Sequence, residues 1–472
     1  MSNNGFENIK YDDWLSFAKQ SLKTESLDHL AKTTLDGIVI QPLYIDRVGH
    51  QQPALPHGGW QVNQAINHPD VKQAHRQILQ DLEQGVNGLS LYSNQCLNAR
   101  GYGVNLNQVN FDSLFENIYL EMISLRLESG LDEFECARLA EAYYTKQGYF
   151  AKGTALSLGI DPIGKLALYG GWDDENEAKQ QVQTALNTHQ ALHILRADGR
   201  IAHNAGASEA QELAFALSSA LTYLKWADEA GIDLSFAAQK IEICLAASQS
   251  QFLTMAKFRA MRHLWAELLD GLNIQPSDAY IFAETSYRMS TKSDPWVNLL
   301  RTTIGCFAAG VGGANQISIL PLSAAIGLAP AFDRRMARHI QTILMQESHI
   351  ADVNDPSHGS FYIETLTHDL TAKAWALFQN MQKSGGVISG LIDGSLQLSI
   401  AQVAKKTQQN LADKTQILVG TSEFINADEK PYEVLDVDRF SLKTPNFTTK
   451  IKPLTPLRDS EMFETASEAA HV

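Results

Sequence analysis

Segments with helical and with strand-like patterns alternate along most of this 472-residue chain, and this alternation constrains the fold more than any other feature. Apolar residues at Val71, Ala74, Ile78 and Leu82 repeat with the period of one helix face, and a short apolar run typical of a buried strand follows. The strand candidates are Gly88–Ser93, Tyr119–Leu125, Gly153–Leu158, Ala191–Arg196, Ile241–Ala246, Ala279–Ala283, Ala314–Leu320 and, with the weakest pattern, Ile350–Val353. Eight apolar strands separated by helices predict an α/β fold, a closed (β/α)8 TIM barrel ahead of an open doubly wound sheet.

The two ends of the chain do not follow this pattern. Before Lys32, apolar residues around Trp14, Leu15 and Phe17 predict an amphipathic helix. After Lys443 the sequence is rich in Thr, Pro and charge, which predicts an extended arm or a disordered tail. We therefore divide the chain into a helical extension (1–32), the barrel (33–390), a C-terminal helical or linker region (391–443) and the tail (444–472).

Both ends are expected to wrap around another subunit. Burial of their few apolar side chains would offset the cost of ordering a flexible segment. In the arm these side chains are Phe447, Ile451 and Leu454. The alternative is a frayed helix and a disordered tail.

The composition excludes several classes of partner. With 53 acidic against 38 basic residues, the formal net charge is −15, so no general attraction for nucleic acid or an anionic membrane is expected. The four cysteines form no CxxC pair, which favours reduced thiols over disulfides or a zinc site. The uncharged stretch Thr302–Phe332 could span a bilayer by length, but its glycines and prolines favour a helix, a buried strand and a loop. No secretory signal is visible, and a soluble, cytoplasmic protein is expected.

Two glycine-containing motifs resemble ligand-binding loops. GIDPIGKL (Gly159–Leu166) has the GxxxxGK spacing of a phosphate loop, but it ends in Leu166 where Mg²⁺ needs a hydroxyl, and Pro162 removes a backbone donor. A plain strand-to-helix turn explains this motif better. GVGGAN (Gly310–Asn315) lets the backbone approach either a ligand or a neighbouring element, and the residues alone leave both interpretations open.

The histidines form no recognisable metal motif. His189 and His193 are four residues apart but run into a predicted strand, where that spacing does not converge on a metal. His203 follows the fourth predicted strand, on the side of a barrel where active sites lie, although a loop histidine is more often a hydrogen-bonding residue. In DPSHGSF, Asp355 is expected to cap the next helix and Gly359 to allow an unusual backbone angle.

Four longer stretches resemble one protein family, the methylmalonyl-CoA mutases. They are TTLDGIVIQPLY (Thr33–Tyr44), AKFRAMRHLWAELL (Ala256–Leu269), TSYRMSTKSDPWVNLLRTT (Thr285–Thr303) and RMARHIQTILMQESHIADVNDPSHGSF (Arg335–Phe361). The resemblance extends over nearly all of the chain to about residue 390. It implies a (β/α)8 barrel that holds an acyl-CoA along its axis, and a radical carbon-skeleton rearrangement started by adenosylcobalamin.

The departures from the family pattern fall on its catalytic positions. In GGWQVNQAINH, which aligns with PWTIRQYAG, Asn63 replaces the arginine that grips the substrate carboxylate and Ala65 replaces the tyrosine that guides the radical. Ile201 aligns with the histidine that contacts the substrate carbonyl. His203 lies two places on and, in an extended segment, would face the same way. Because asparagine cannot replace a bidentate arginine, and alanine cannot confine a radical, no catalytic residue is expected in this chain.

The resemblance therefore implies the non-catalytic small subunit of a heterodimeric methylmalonyl-CoA mutase, without a C-terminal cobalamin-binding domain. Adenosylcobalamin and the acyl-CoA substrate would be held by the large subunit, and this chain would bind no cofactor or metal, because no histidine has an aspartate two places before it. The alternative is a catalytic acyl-CoA mutase subunit that uses a separate cobalamin-binding polypeptide. The remaining positions would line a vestigial pocket: Trp60, Gln64, His203, Asn204, Thr285, Ser286, Asn315 and Ser318.

The side chains along the barrel axis also indicate whether this chain could bind an acyl-CoA. A CoA chain can thread a barrel only if small polar side chains line its centre, because barrels of this class are ordinarily filled by branched side chains. The predicted strands are rich in Leu and Ile. A centre plugged by these apolar residues is therefore expected.

Overall fold

The computed structural model describes residues 10–46, 58–442 and 445–464. Its centre is a closed barrel of eight parallel strands, as the sequence predicts. In chain order the barrel strands are β1 (Gln61–Ile66), β2 (Gly88–Tyr92), β3 (Ser124–Glu128), β4 (Ala155–Ile160), β5 (His193–Asp198), β6 (Ile241–Ala247), β7 (Tyr280–Thr285) and β8 (Gln316–Ser318). Each strand pairs with the next along the sequence, and β8 pairs with β1 to close the ring.

Helices surround the barrel. The α-helices are α1 (Tyr11–Leu22), α2 (Val71–Glu83), α3 (Phe111–Leu114), α4 (Glu133–Gln147), α5 (Pro162–Tyr169), α6 (Glu175–Thr188), α7 (Arg200–Asn204), α8 (Glu209–Glu229), α9 (Leu234–Gln239), α10 (Gln251–Gly271), α11 (Pro295–Val311), α12 (Ala331–Thr342), α13 (Phe361–Lys383), α14 (Gly386–Ile392) and α15 (Ser395–Ala412). Two short antiparallel ladders lie outside the barrel: Lys32–Thr33 with Val39–Ile40, and Gly171–Trp172 with Thr449–Lys450. The helix predicted from Val71, Ala74, Ile78 and Leu82 is confirmed by α2.

The predicted eighth strand is wrong. Ile350–Val353 is a 3-10 turn (Ile350–Asp352) followed by an exposed Val353, and the missing strand is β1 at the start of the barrel. β1 reads QVNQAI, so it has no continuous apolar run. Its polar residues Gln61 and Asn63 share the inner face of the strand, where the Asn63 side chain accepts a hydrogen bond from Ser90. The strands counted as fourth and seventh in the sequence are therefore β5 and β8.

Five strands also begin later than predicted. β3 begins five residues later, β4, β5 and β8 begin two residues later, and β7 begins one residue later. β3 and β5 end in Glu128 and Asp198, inward-facing charged residues that a search for apolar runs leaves out. Charge on the inner face of the barrel therefore explains why the ends of β3 and β5 were placed too early.

The two glycine-containing motifs are structural. Asp161 caps α5 by accepting a hydrogen bond from the Gly164 N–H (2.9 Å), and Pro162 is the first helical residue, which confirms the strand-to-helix turn. In GVGGAN, a Cβ on Gly310 would lie 2.3 Å from the ring of Trp60. The absence of a side chain there serves close packing between α11 and the start of β1.

The DPSHGSF turn differs in part from the prediction. Ser360, and not Asp355, caps α13. Asp355 instead pairs with the guanidinium of the fully buried Arg259 on α10. Gly359 has a φ of +84°, as predicted.

The ends of the chain form the predicted elements, but the arm has a different contact surface. α1 forms around Trp14 and Phe17 and buries none of its residues. Residues 445–464 extend along this chain's own barrel, where Phe447 and Leu454 are buried and Ile451 packs against the core. The expectation that a partner buries these three side chains is therefore wrong. The last eight residues of the predicted tail lie outside the described residues.

In the described ranges, no single helix is long and apolar enough to cross a membrane; only the bent pair α14 and α15 meets the length and composition limits together. The uncharged stretch Thr302–Phe332 contains most of α11, then β8 and loops, as predicted. All four cysteines are buried and free.

Candidate functional site

The inside of the barrel is filled by a network of buried charges. Arg126 on β3 lies at its centre and donates to Glu128 (2.6 Å) and to Glu242 on β6 (3.0 Å). Its guanidinium lies 3.4 Å from the centroid of the Phe282 ring. Arg196 on β5 bridges the same two carboxylates, at 3.1 Å to Glu128 and 2.7 Å to Glu242. Four strands thus contribute side chains to one layer across the axis.

A second layer lies towards the carboxyl ends of the strands. Arg200 at the start of α7 pairs with Asp198 (2.6 Å) and with Glu128 (3.1 Å). Glu284 on β7 accepts a hydrogen bond from the Tyr92 hydroxyl on β2 (2.7 Å) and lies 3.6 Å from Arg200. These contacts join β2, β3, β5 and β7 across the interior.

The pairing determines the ionisation of the network. Burial alone would raise the pKa of Glu242, but Arg126 and Arg196 lower it to about 2. The same balance, with Arg196 first among three arginines, holds the pKa of Glu128 well below its ordinary value. Both carboxylates are therefore ionised over the physiological range, and the arginines remain charged.

The centre of the barrel is closed, as predicted, but the prediction that Leu and Ile close it is wrong. Leu and Ile of the strands face outwards under the helices, because side chains alternate along a strand. Charged and polar side chains face inwards and close the centre instead. Beside Glu128 and Arg196 there remains a cavity of about 40 Å³, well below the roughly 300–1,000 Å³ of typical ligand pockets.

The two substituted catalytic positions lie on the inner face of β1. Asn63 accepts a hydrogen bond from the Ser90 hydroxyl on β2 (2.7 Å) and is fully buried. Ala65 packs against Tyr92 and Cys96. Asn63 therefore belongs to the polar lining, and the space beside Ala65 is bordered by another aromatic residue.

Trp60 and Gln64 have different surroundings. The Trp60 indole donates to the Gln341 side chain on α12 (3.0 Å), which fixes the entrance to β1. Gln64 is buried, and neither atom of its amide has a hydrogen-bond partner among the described residues. Trp60 is thus a packing residue, whereas Gln64 is an unpaired polar group on β1 itself.

His203 does not lie in an extended segment. It belongs to the short helix α7, on which residues two positions apart point to nearly opposite sides, so His203 cannot take the place of Ile201. Its imidazole contacts the Ser286 hydroxyl (2.7 Å) and lies 3.2 Å from Glu212 on α8. Asn204 is buried, and its backbone carbonyl accepts from Leu457 of the arm.

The remaining predicted positions hold β7 and β8 together. The Thr285 hydroxyl accepts from the Leu320 N–H (2.8 Å). The Asn315 side chain accepts from the Ile281 N–H and from Arg262 (both 2.9 Å). Ser318 faces inwards and is buried. Of the eight predicted pocket residues, only His203 and Ser286 are joined by a side-chain hydrogen bond in the described structure.

The C-terminal arm lies across the carboxyl ends of the strands, where active sites of such barrels are found. Its backbone N–H groups donate to Ala167 after β4 (Leu454), to Asn204 after β5 (Leu457) and to Arg288 after β7 (Asp459). The arm therefore covers part of the mouth of the barrel.

Sequence reasoning missed the charged network entirely. The available signal was charge at alternate positions of an otherwise apolar strand, as in SLRLE (Ser124–Glu128). Such a pattern places both charges on one face. Without knowledge of the partners on β6, that face looks like the solvent side.

Comparison with known proteins relates this chain to one family. A sequence profile of the methylmalonyl-CoA mutase family matches residues 49–470. The methylmalonyl-CoA mutase small subunit of Streptomyces virginiae is 33% identical over 87% of this chain and 68% of its own length. That of Propionibacterium freudenreichii subsp. shermanii is 31% identical over 94% of this chain and 70% of its own length.

A large subunit matches over a shorter range. The methylmalonyl-CoA mutase large subunit of Porphyromonas gingivalis is 30% identical over 56% of this chain and 37% of its own length. The chain spans about two thirds of the length of the small subunits that it matches. The family profile covers most of the chain, and this chain therefore belongs to the methylmalonyl-CoA mutase family of cobalamin-dependent isomerases.

Proposed function

We propose that this chain is the non-catalytic small subunit of a methylmalonyl-CoA mutase. It pairs in the cytoplasm with a large subunit that holds adenosylcobalamin and the acyl-CoA substrate and interconverts methylmalonyl-CoA and succinyl-CoA. The division of the chain into an extension, a barrel, a linker and an arm belongs to the same proposal. Its relatives named as small subunits support it.

The observation that best supports this proposal is the filled axis of the barrel. A substrate on the axis would have to displace the ion pairs of Arg126, Glu128 and Glu242, all of which are almost fully buried. Separating such pairs leaves uncompensated buried charges, which is strongly unfavourable. The substitutions Asn63 and Ala65 remove the substrate-binding and radical-guiding groups from the same interior.

The side chains of this barrel do not fit a role in holding adenosylcobalamin. No histidine in the sequence follows an aspartate with the spacing of the family's cobalt ligand. The arm lies over the carboxyl ends of β4, β5 and β7. We therefore assign the cofactor to the partner and derive no chemical step from it in this chain.

The alternative, a catalytic subunit served by a separate cobalamin-binding polypeptide, requires a substrate channel. The ion pairs inside the barrel occupy that space, and Ala65 provides no hydroxyl. These observations favour the partner role.

The test compares the chain alone with the chain co-expressed with a candidate large subunit. We expect a one-to-one complex that turns over methylmalonyl-CoA, while the isolated chain neither turns it over with added adenosylcobalamin nor binds it by titration calorimetry. Turnover by the isolated chain would refute the proposal, and so would saturable binding of methylmalonyl-CoA. A failure of the two chains to co-purify would remove the partner assignment.

A further inference from the structure

A second and larger cavity, of about 490 Å³, lies outside the filled axis. It opens beyond the carboxyl ends of β6 and β7, beneath the segment 32–40 and α15. Its wall includes Ser286, Arg288, Ser250, Leu253, Lys32 and Lys406. The volume is within the range of small-molecule sites, and the described residues do not fill it.

Ser286 on this wall is the first member of a serine–histidine–carboxylate chain. Its hydroxyl lies 2.7 Å from His203 Nε2, and His203 Nδ1 lies 3.2 Å from Glu212 Oε2. Glu212 is held in place by the Ala246 N–H (2.7 Å) and by the Lys257 ammonium (2.5 Å). The three groups come from the β7 end, α7 and α8, so three elements fix their relative position.

His203 is uncharged at physiological pH. Burial, and secondly Arg288, lower the pKa of His203 to about 3, so the imidazole is neutral at physiological pH. Glu212 is ionised, since Lys257 and His203 outweigh burial and lower its pKa to about 2. His203 Nδ1 makes no aligned hydrogen bond, but the Glu212 carboxylate 3.2 Å away can only accept, which favours the ring proton on Nδ1. Nε2 is then free to accept the Ser286 proton.

The cavity also contains a place for negative charge. Ser250 and Leu253 at the start of the 21-residue helix α10 line it, and Ser250 makes no side-chain cap. The first-turn N–H groups and the helix dipole favour an oxyanion there. Lys32 and Lys406 add two cationic side chains on the same wall, which also carries the carboxyl groups of Glu209 and of Asp459, the latter 3.8 Å from Arg288.

We propose that Ser286, His203 and Glu212 form a nucleophile, a general base and its orienting group for hydrolysis of a small ester or thioester with an anionic leaving portion. Ser286 Oγ forms a bond to the acyl carbon and its proton passes to His203 Nε2. The C–O or C–S bond breaks, and the leaving group takes that proton. Water, activated by His203, then cleaves the acyl-serine and restores both groups. This activity is independent of the mutase assignment.

The experiment treats the full-length chain with a fluorophosphonate and locates the modified residue by mass spectrometry. We expect modification of Ser286, which Ser286→Ala abolishes and which His203→Gln slows by about a hundredfold. Ser318→Ala, a serine of similar burial inside the barrel, is the matched control and should leave the modification unchanged. The same order is expected for hydrolysis of 4-nitrophenyl acetate.

Ser286→Cys provides a second measurement should His203→Gln fail to fold. Its thiol should react with iodoacetamide faster than the four native cysteines, because position 286 borders the 490 Å³ cavity and none of those cysteines does. No phosphonylation of Ser286 in the wild type would overturn the proposal, and so would ester hydrolysis that persists in Ser286→Ala. In that case the His203–Ser286 contact only joins the segments after β5 and β7.

Discussion

At the scale of single residues, the barrel interior shows how buried charge can replace a substrate channel. Glu242 is fully buried and accepts hydrogen bonds from Arg126 and Arg196, two arginines that would otherwise have only Glu128 as a shared partner. Each charge is tolerated only because groups of opposite charge lie beside it. The network therefore makes the charged residues of β3, β5 and β6 interdependent.

The first residue-scale prediction concerns Glu242→Gln. It leaves Arg126 and Arg196 to share Glu128, so we expect the free energy of unfolding to fall by about 3–5 kcal/mol in urea titrations. Glu135→Gln, which breaks the exposed pair with Arg138, is the control and should not change stability measurably. A loss from Glu242→Gln no larger than that of the control would contradict the role of the network.

We also predict that Asp161 makes the free energy of unfolding depend on pH. Burial, with Asp198 and Glu133 nearby, raises the pKa of Asp161 from 3.8 to about 7, although Tyr223 opposes the shift. The folded chain thus holds a proton between about pH 4 and 7 that the unfolded chain has released, so this contribution to stability is full below pH 4 and is lost towards pH 7.

We expect Asp161→Asn to remove that loss, because the amide oxygen can still accept from Gly164 and Tyr223. Urea unfolding at pH 4.5, 5.5 and 7 should show the variant gaining stability over the wild type as pH rises. Asp174→Asn, at the exposed cap of α6, controls for loss of a cap carboxylate. A constant difference between Asp161→Asn and the wild type would show that Asp161 ionises normally.

At the scale of elements, the two ends of the chain behave differently. The arm packs against its own chain, because Thr449–Lys450 pairs with Gly171–Trp172 and Leu454 is buried. Helix α1 is not buried in this way, since none of its residues is buried and Phe17 is 65% exposed. An apolar helix face that the barrel leaves uncovered is the better candidate for contact with a partner.

For the arm, we predict that Phe447→Ala lowers the free energy of unfolding by about 3–5 kcal/mol, since it empties a well-packed site against Gly171. Phe424→Ala is the matched control, because Phe424 is 73% exposed. Equal stability of the two variants would mean that the arm detaches without unfolding the barrel.

For α1, the variant Phe17→Ser and deletion of residues 1–30 should weaken association with the large subunit by about tenfold or more, equivalent to about 1.4 kcal/mol. The unfolding midpoint of Phe17→Ser should not change. Gln20→Ala, an exposed polar position on the same helix, is the control for analytical ultracentrifugation or surface plasmon resonance. Undiminished affinity of the truncated chain would place the interface on the barrel wall instead.

Considered as one molecule, the chain combines a complete barrel with an interior that is filled by paired charges. The eight strands close with the register of a complete barrel, yet the axis carries paired charges and an arm covers part of its mouth. Changing a few site residues should therefore not restore the substrate site.

We predict that the double variant Asn63→Arg, Ala65→Tyr does not bind methylmalonyl-CoA. A new arginine on β1 would lie near Arg126, which is 3.4 Å from the Ser90 hydroxyl that Asn63 contacts, and their repulsion should also lower the unfolding midpoint. Asn63→Gln is the neutral control of intermediate size. Binding of methylmalonyl-CoA by the folded double variant, measured by calorimetry, would show that the interior opens easily.

The amino-acid sequence by itself determined the barrel, the helices and the family, because helix and strand periods and long motifs are local properties of the chain. It also located the substitutions at Asn63 and Ala65. The apolar patterns did not reveal β1 and placed the start of β3 five residues too early, because polar inner residues interrupt the apolar runs there.

Only the tertiary structure decided what those inner residues do. Arg126 and Glu242 are 116 positions apart, and the closure of the barrel, not any local pattern, brings their charges to 3.0 Å. The same holds for His203 and Ser286, and for the arm that buries Phe447 on its own barrel. Pairing of buried charges depends on distance in space, and a sequence records distance only along the chain.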